Sequence, residues 1–390
     1  MTHSTPHPSD EALEFLCSIR LHHIFTYTSN NITHRVSYSD YGSPTSPNVL
    51  LFFGGLLGGR LCYTPLDLLA RKHNIRIIHA DRPGTGGTTP VLIEDRIAAY
   101  LKMVVGLVQH LGIKCVALAA HSFGTVYAMN FLLLYPELLH PERPYVAFWT
   151  PWVSPEHSGV RHLQVAELLP ASVIGKFSGL AKLINCSVMP VLGMSSSLSS
   201  AVTRSLQSSM PNRGAADVPP AQTNAQIQGW NEGGVYTLDL DNPEIVKDLR
   251  ALLPTFLFAE TIDGAGHDAQ LCLRKPRSIP WSTPTQPWED IDDAVRQLKS
   301  IIANDLQTGR RWVVDSFHAE TDIMVRNKGR AWFDGCWQGD RTSENEESGI
   351  VYRSQIVEGS DHDFILDPVF GASEKWLERV AESFGTRAEA

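Results

Sequence analysis

Residues 116–130 read VALAAHSFGTVYAMN. Val116 to Ala119 form a short apolar run, His121-Ser122-Phe123-Gly124 form a turn, and an apolar helical stretch opens near Thr125. A strand running straight into a helix, with a small residue two places on each side of a serine, forces a sharp turn that pushes the serine Oγ into open space. Ser122 occupies that place, with Ala120 before it and Gly124 after it. Such a serine is either a nucleophile or an ordinary turn residue, and the rest of the chain decides between the two.

Working outward, NVLLFF (48–53), IRIIHA (75–80), CVALAA (115–120) and YVAFW (145–149) are short continuous apolar runs. Runs of that kind belong to strands covered on both faces. Helical periods lie between them: Ile93, Ile97, Leu101, Val104, Val108 and Leu111 recur every three or four residues. Alternating strands and helices predict an α/β fold with a mostly parallel central sheet and helices on both faces. Two earlier stretches, HHIFTYTS and THRVSYSDYG, alternate as half-buried strands do, with a turn at Ser29-Asn30-Asn31. The pattern stops near Pro155 and resumes with a helix around 289–304, strands RWVVDSF (311–317) and IVYRSQIVEG (350–359), and an amphipathic helix carrying Trp376, Leu377, Val380 and Phe384.

The chain therefore divides into a polar, disordered lead-in (1–10), an α/β core (11–154 plus 288–390) and an inserted, mainly helical cap (155–287). The cap begins with apolar helical segments, among them Leu168, Leu169, Val173, Ile174, Phe177, Leu180, Leu183 and Ile184. A Ser-rich stretch and a Pro/Ala/Gln/Asn-rich stretch (211–228) follow, a composition that predicts a mobile loop.

Of the 390 residues, 33 are Lys or Arg and 42 are Asp or Glu, giving a net charge of −9. That balance argues against nucleic acid or an anionic membrane as the main partner. Cys17, Cys62, Cys115, Cys186, Cys272 and Cys336 are far apart and form no metal-binding spacing, so free thiols are expected rather than a disulfide framework. The first ten residues lack the pattern of a signal peptide, and no apolar run is long enough to span a membrane. The expectation is a cytoplasmic protein, which gives the acceptor patterns at Asn31 and Asn185 little weight. The sequence does not set the oligomeric state, and a homodimer is the assembly to test for.

A serine hydroxyl needs a base, and the base needs an orienting carboxylate. On this kind of fold both lie later in the chain, acid before histidine, each in a loop after a strand. HAETDIM (318–324) follows one strand and offers Glu320 and Asp322; EGSDHDFIL (358–366) follows the next and offers His362. The order Ser122, Asp322, His362 fits, with Glu320 as the competing acid. Asp322 read without chemistry is a loop or N-cap aspartate. His362 lies among Glu358, Asp361, Asp363 and Asp367, yet no second His or Cys stands at ligand spacing, which disfavours a metal site. His121 lies on the serine turn itself and is poorly placed as its base, whereas His267 and His318 read as structural. An oxyanion hole is available in FFGGLLGGR (52–60), whose glycines leave amides open to a substrate. The Phe123 amide would supply one donor and that of Gly55 or Leu56 the other. DRPGTGGTT (81–89) reads as a tight turn after a strand, and no phosphate-binding glycine pattern is present.

LLFFGGLLGGR, DRPGTGG, AAHSFG, HAETD and EGSDHDFILDP occur in the order of the oxyanion loop, fourth-strand turn, nucleophile elbow, acid loop and histidine loop of α/β-hydrolase-fold proteins. The chain resembles the proline-iminopeptidase/esterase-like superfamily of that fold, notably its large fungal members with a long cap. The resemblance covers 45–150 and 290–385 and implies Ser122 as nucleophile, Asp322 as acid and His362 as base. Two positions depart from it: Phe53 stands where many relatives carry His, and Ala120 replaces the first elbow glycine.

The expected activity is hydrolysis of a carboxylic ester, thioester or lactone of a hydrophobic small molecule, with neither cofactor nor metal. Lyase, cyclase or iminopeptidase-like chemistry on the same fold is the alternative, because fold alone does not choose the reaction. A non-catalytic ligand-binding protein on the same scaffold is the alternative of another class, and an intact triad argues against it.

Overall fold

The computed structural model describes residues 8–29, 31–179, 238–239, 242–338 and 349–385. Eight strands form one sheet in the order β1-β2-β4-β3-β5-β6-β7-β8. They are β1 (His23–Ser29), β2 (Ile32–Gly42), β3 (Val49–Phe53), β4 (Arg76–Ala80), β5 (Ala117–His121), β6 (Tyr145–Trp149), β7 (Trp312–Thr321) and β8 (Ile350–Asp361). The first two strands form the expected hairpin and join the sheet antiparallel, through β2 against β4. Every other pairing is parallel. β7 and β8 run beyond the apolar runs that announce them, to Thr321 and Asp361, with a register irregularity between Ala319 and Thr321. Pairing between the two backbones carries them past the last buried side chains.

The apolar runs divide their side chains between two cores. Val49, Leu51 and Phe53 face one, while Leu50 and Phe52 face the other. β5 repeats the division, with Leu118 and Ala120 on the first side and Ala117 and Ala119 on the second. A strand covered twice has no polar face to alternate with, which explains the unbroken runs in the sequence. Helices Arg96–His110, Gly124–Leu134 and Ile291–Gln307 cover the first face through residues such as Leu101, Val104, Phe131, Val295 and Leu298. Helices Pro8–Leu16 and Ala372–Ser383 cover the second through Phe15, Leu16, Trp376, Leu377 and Val380. The N-terminal helix starts at Pro8, inside the segment expected to be a disordered lead-in, because Ala12, Phe15 and Leu16 are buried against the sheet. Residues 1–7 lie outside the described residues.

After β6 come the short helices Pro155–Ser158, Arg161–Ala166 and Ala171–Ile174. Leu168, Leu169 and Val173, expected on the apolar part of the cap, are exposed, whereas Ile174 is buried. Leu180, Leu183, Ile184, the Ser-rich stretch and 211–228 fall outside the described residues. The later part of the same segment is bound into the core. Helix Pro243–Ala259 supplies Ile245 and Leu249 to the second core. Helix Gly264–Cys272 and the chain after it supply Leu271, Cys272, Ile279 and Trp281 to the first.

The turn after β5 brings the next helix into close backbone contact with the loop after β3. A Cβ added to Gly124 would lie 2.2 Å from the Phe53 carbonyl oxygen and 2.7 Å from that of Gly54. The helix can therefore start against the β3 loop only if this residue is glycine. Ala120, by contrast, is wholly buried and its methyl packs in the first core, so the substituted elbow position is accommodated. Gly124→Ala is expected to lower unfolding stability by about 1–3 kcal/mol, the usual cost of overpacking. Denaturant titration of the purified variant would measure it, and unchanged stability would show that the β3 loop yields freely.

Candidate active site

The C-terminal ends of the parallel strands bring the loops that follow them together. Ser122 follows β5 directly, with its backbone in the left-handed region at φ 50°. A β-carbon is disfavoured there, so surrounding bonds must hold the turn. The Ser122 amide donates to the Trp149 carbonyl at 2.9 Å, and the Ser122 carbonyl accepts from the amides of Thr125 at 3.0 Å and Trp152 at 3.2 Å. The β6 end thus pins the turn from one side and the following helix from the other.

His362, just beyond β8, brings Nε2 to 2.8 Å from Ser122 Oγ. Its Nδ1 lies 2.9 Å from Asp322 Oδ2. Asp322 Oδ1 accepts the amides of Met324 and Val325, both at 2.8 Å. Burial works to raise the Asp322 pKa, but the His362 hydrogen bond and charge and the two amides together hold it below the usual carboxylate value. The carboxylate stays ionised and accepts from His362 Nδ1–H, which leaves Nε2 as the unprotonated nitrogen facing Ser122 Oγ. Glu320 is spent elsewhere: its Oε2 accepts the Gly359 amide at 2.8 Å. Asp361 accepts the amides of Asp363 and Phe364 and Asp367 that of Val369, so these carboxylates shape the loop. Among the described residues no cluster of three or more His, Cys, Asp or Glu is arranged to hold a metal ion.

The β3 loop corrects one expectation. The Gly55 amide donates to Tyr63 Oη at 2.8 Å and is thereby consumed, so Gly55 is not the second oxyanion donor. Tyr63 Oη in turn lies 2.8 Å from His121 Nδ1, and His121 Nε2 lies 2.9 Å from the His362 carbonyl oxygen. A carbonyl only accepts, so Nε2 carries the proton and Nδ1 accepts from the tyrosine. Burial, and then the neighbouring His362, lower the His121 pKa to about 3, which keeps the ring neutral. His121 is therefore no general base. It ties the β3 loop to the loop that carries His362, a role its sequence position did not disclose.

The amides of Leu56 and Phe123 take no hydrogen-bond acceptor among the described residues. Phe123 itself is wholly buried and starts the helix, with its ring edge-on to Tyr127. Phe53 turns its ring into the first core against Tyr100 and Phe131. The loop is gripped from above by Arg82, whose guanidinium donates to the carbonyls of Gly54 at 2.6 Å, Gly55, and Leu56 at 2.9 Å. Arg82 Nε is paired with Asp268 at 2.7 Å. Tyr63, Arg82 and Asp268 were all missed in the sequence. An arginine closing a buried strand, with no acid at helical spacing, was the one available signal for Arg82. His318 lies 3.0 Å from Ser316 Oγ and 2.8 Å from Asp334, which makes it structural, as expected. His267 borders a cavity of about 520 Å³ with Pro83, Gly84, Lys176 and Asp263, apart from the serine.

The comparisons to known proteins bear on the family and the fold. The sequence profile of the Alpha/beta hydrolase family matches residues 50–372. The chain belongs to that family, and with it to the hydrolytic enzymes. Among solved structures, a DBJA variant shares 13% identity over 93% of this chain and all of its own, with a TM-score of 0.50. A carboxylesterase of the thaumarchaeon Nitrososphaera gargenis shares 14% over 92% of this chain and 99% of its own, with a TM-score of 0.48. The enol-lactonase of Burkholderia xenovorans shares 15% over 93% and 100%, with a TM-score of 0.46. At such identities the likeness is one of fold. Comparison with curated protein sequences gave no match. No helix among the described residues is long and apolar enough to cross a membrane.

His121 and His79, both held near pKa 3 chiefly by burial, set a pH dependence. Each binds a proton more readily in the unfolded chain, so stability is full above about pH 6.5 and falls as pH drops towards 3. The expected slope approaches about 1.4 kcal/mol per pH unit for each histidine. Urea titrations between pH 4.5 and 7.5 measure it, and a flat profile would contradict neutral buried rings.

Proposed function

We propose that the chain is a serine hydrolase of carboxylic esters, thioesters or lactones. The observation that supports this best is the continuous line from Ser122 Oγ through His362 to Asp322, built on a serine held at φ 50°. His362 Nε2 takes the proton as Ser122 Oγ attacks the carbonyl carbon, and Asp322 steadies the resulting imidazolium. The amides of Phe123 and Leu56 receive the charge that develops on the carbonyl oxygen. His362 then returns the proton to the leaving alcohol, thiol or ring oxygen. Water, activated by the same nitrogen, attacks the acyl-enzyme and frees Ser122.

Exposed apolar side chains lie close in sequence to the acid and the histidine and on the segment that follows β6. Ile323 follows Asp322 directly, Phe364 stands two residues beyond His362, and both are exposed, as are Leu168, Leu169 and Val173 on the segment after β6. Surfaces of that kind favour a hydrophobic acyl or polycyclic group over a sugar or a charged peptide.

A fluorophosphonate probe is expected to label the wild-type chain and leave Ser122→Ala unlabelled. Labelling of the alanine variant would remove Ser122 from its role. Asp322→Asn is expected to lower turnover by about 10⁴-fold, the loss seen when a triad carboxylate ceases to fix the tautomer. Glu320→Gln should change it little, and equal losses in the two would assign the wrong carboxylate. Across esters of rising apolar size, kcat/KM should climb; acetate and charged esters turned over equally well would end the hydrophobic reading.

A further inference from the structure

The oxyanion loop is oriented from the side of the carbonyls. In a trans peptide the C=O and N–H of one unit point in opposite directions. The Gly54 carbonyl shares its unit with the Gly55 amide, and the Gly55 carbonyl shares its unit with the Leu56 amide. Arg82 binds both carbonyls. The first unit consequently sends its N–H to Tyr63 on the far side. The second sends the Leu56 N–H away from Arg82, where no protein acceptor among the described residues meets it.

Arg82 cannot swing freely into another pose. It is buried, its Nε is taken by Asp268, and its guanidinium lies 5.3 Å from the centre of the Tyr127 ring. Asp268 is fully buried and accepts from Arg96 Nε at 2.7 Å, Arg96 Nη2 at 2.9 Å and Tyr127 Oη at 2.7 Å. It is carried on helix Gly264–Cys272, which docks by backbone contact, its Gly264 amide donating to the Gly84 carbonyl at 2.7 Å. A Cβ on Gly264 would stand 2.1 Å from the Pro83 oxygen, so no side chain separates the helix from the turn that carries Arg82.

Building on the serine-hydrolase reading above, we propose that Arg82 is a positioning residue that aims and polarises the Leu56 amide as an oxyanion donor, and that Asp268 makes this depend on the seating of helix Gly264–Cys272. A charged donor on a carbonyl draws electron density through the amide and strengthens the N–H at its other end. The planar fork matters as much as the charge, because one guanidinium meets three successive carbonyls and a carboxylate at once. Lysine at this place keeps the charge and loses the fork. The polarised N–H gains most when full negative charge forms on the substrate oxygen, so the effect falls on the transition state rather than on substrate binding.

The test compares wild type, Arg82→Lys and Asp268→Asn on p-nitrophenyl esters, with fluorophosphonate labelling and inhibition by an alkyl trifluoromethyl ketone, whose serine adduct carries an oxyanion. For Arg82→Lys, kcat should fall about 10²-fold, as when an oxyanion donor is lost. KM should stay within about threefold and ketone affinity should weaken in step with kcat, since only transition-state stabilisation is removed. Asp268→Asn should show the same split in smaller measure. Unchanged kcat, or a loss that follows only the unfolded fraction, would overturn the proposal. Should these variants fail to fold, the wild-type chain labelled with ¹⁵N-leucine and ¹⁵N-glycine decides: on ketone binding the Leu56 amide proton should move downfield and that of Gly55 should not. A still Leu56 resonance would overturn the proposal. Wild-type chain that takes no fluorophosphonate label would overturn the serine-hydrolase reading and this inference with it, whereas labelled protein with an indifferent Arg82 would overturn the inference alone.

Discussion

The structure depends on one close approach, that of Gly124 to the carbonyls of Phe53 and Gly54. Besides the hydrogen bonds that pin the left-handed turn at Ser122, the helix after it starts hard against the β3 loop. The same approach sets the start of the helix, next to Phe123, against the β3 loop that carries Leu56, the two amides proposed above as oxyanion donors. A methyl group at this one contact would push apart the nucleophile and the loop that faces it. The parallel sheet supplies the framework, because β3 and β5 are neighbours and both end at the same edge.

Around this contact lie polar groups that a core of hydrocarbon would not require. Asp268, Arg82 and Arg96 form a buried ion cluster, and Tyr63 and His121 form a buried neutral bridge. Burying charge is costly, and clusters of this kind contribute less to stability than their short distances suggest. Their value here is directional. Each fixes the rotation of a peptide unit or a ring that an apolar contact would leave free. Asp268 is held at a pKa of about 2, because two guanidiniums outweigh the burial that would raise it, so it remains an anion wherever the protein is folded near neutrality. The bridge through His121 sets the direction of three hydrogen bonds at once, since a neutral imidazole has one donor and one acceptor.

The division between sheet faces was plain in the apolar runs, and the two helix-covered cores follow from them. The extra length of β7 and β8 was not, because Glu320 and Asp361 gave the last residues of those strands the look of a loop. Pairing between neighbouring backbones, which is blind to side-chain polarity, extends both strands to the places where Asp322 and His362 emerge. The start of the N-terminal helix was likewise hidden by the polar residues before Ala12, whose burial comes only from packing against the second core and helix Pro243–Ala259.

What the sequence determined by itself was local: the strand-turn-helix at Ser122, the glycine-rich stretch after β3, and the order of candidate serine, acid and histidine, each in a loop after a strand. These are legible because a strained turn and a buried strand each restrict which residues stand at fixed short spacings. Only the tertiary structure decided that Glu320 faces Gly359 while Asp322 faces His362, that the Gly55 amide is taken by Tyr63, and that Asp268 answers Arg82 across 186 residues of chain. Those choices rest on hydrogen-bond directions between segments remote in sequence, and no local spacing encodes which way a peptide unit turns once another segment is packed against it.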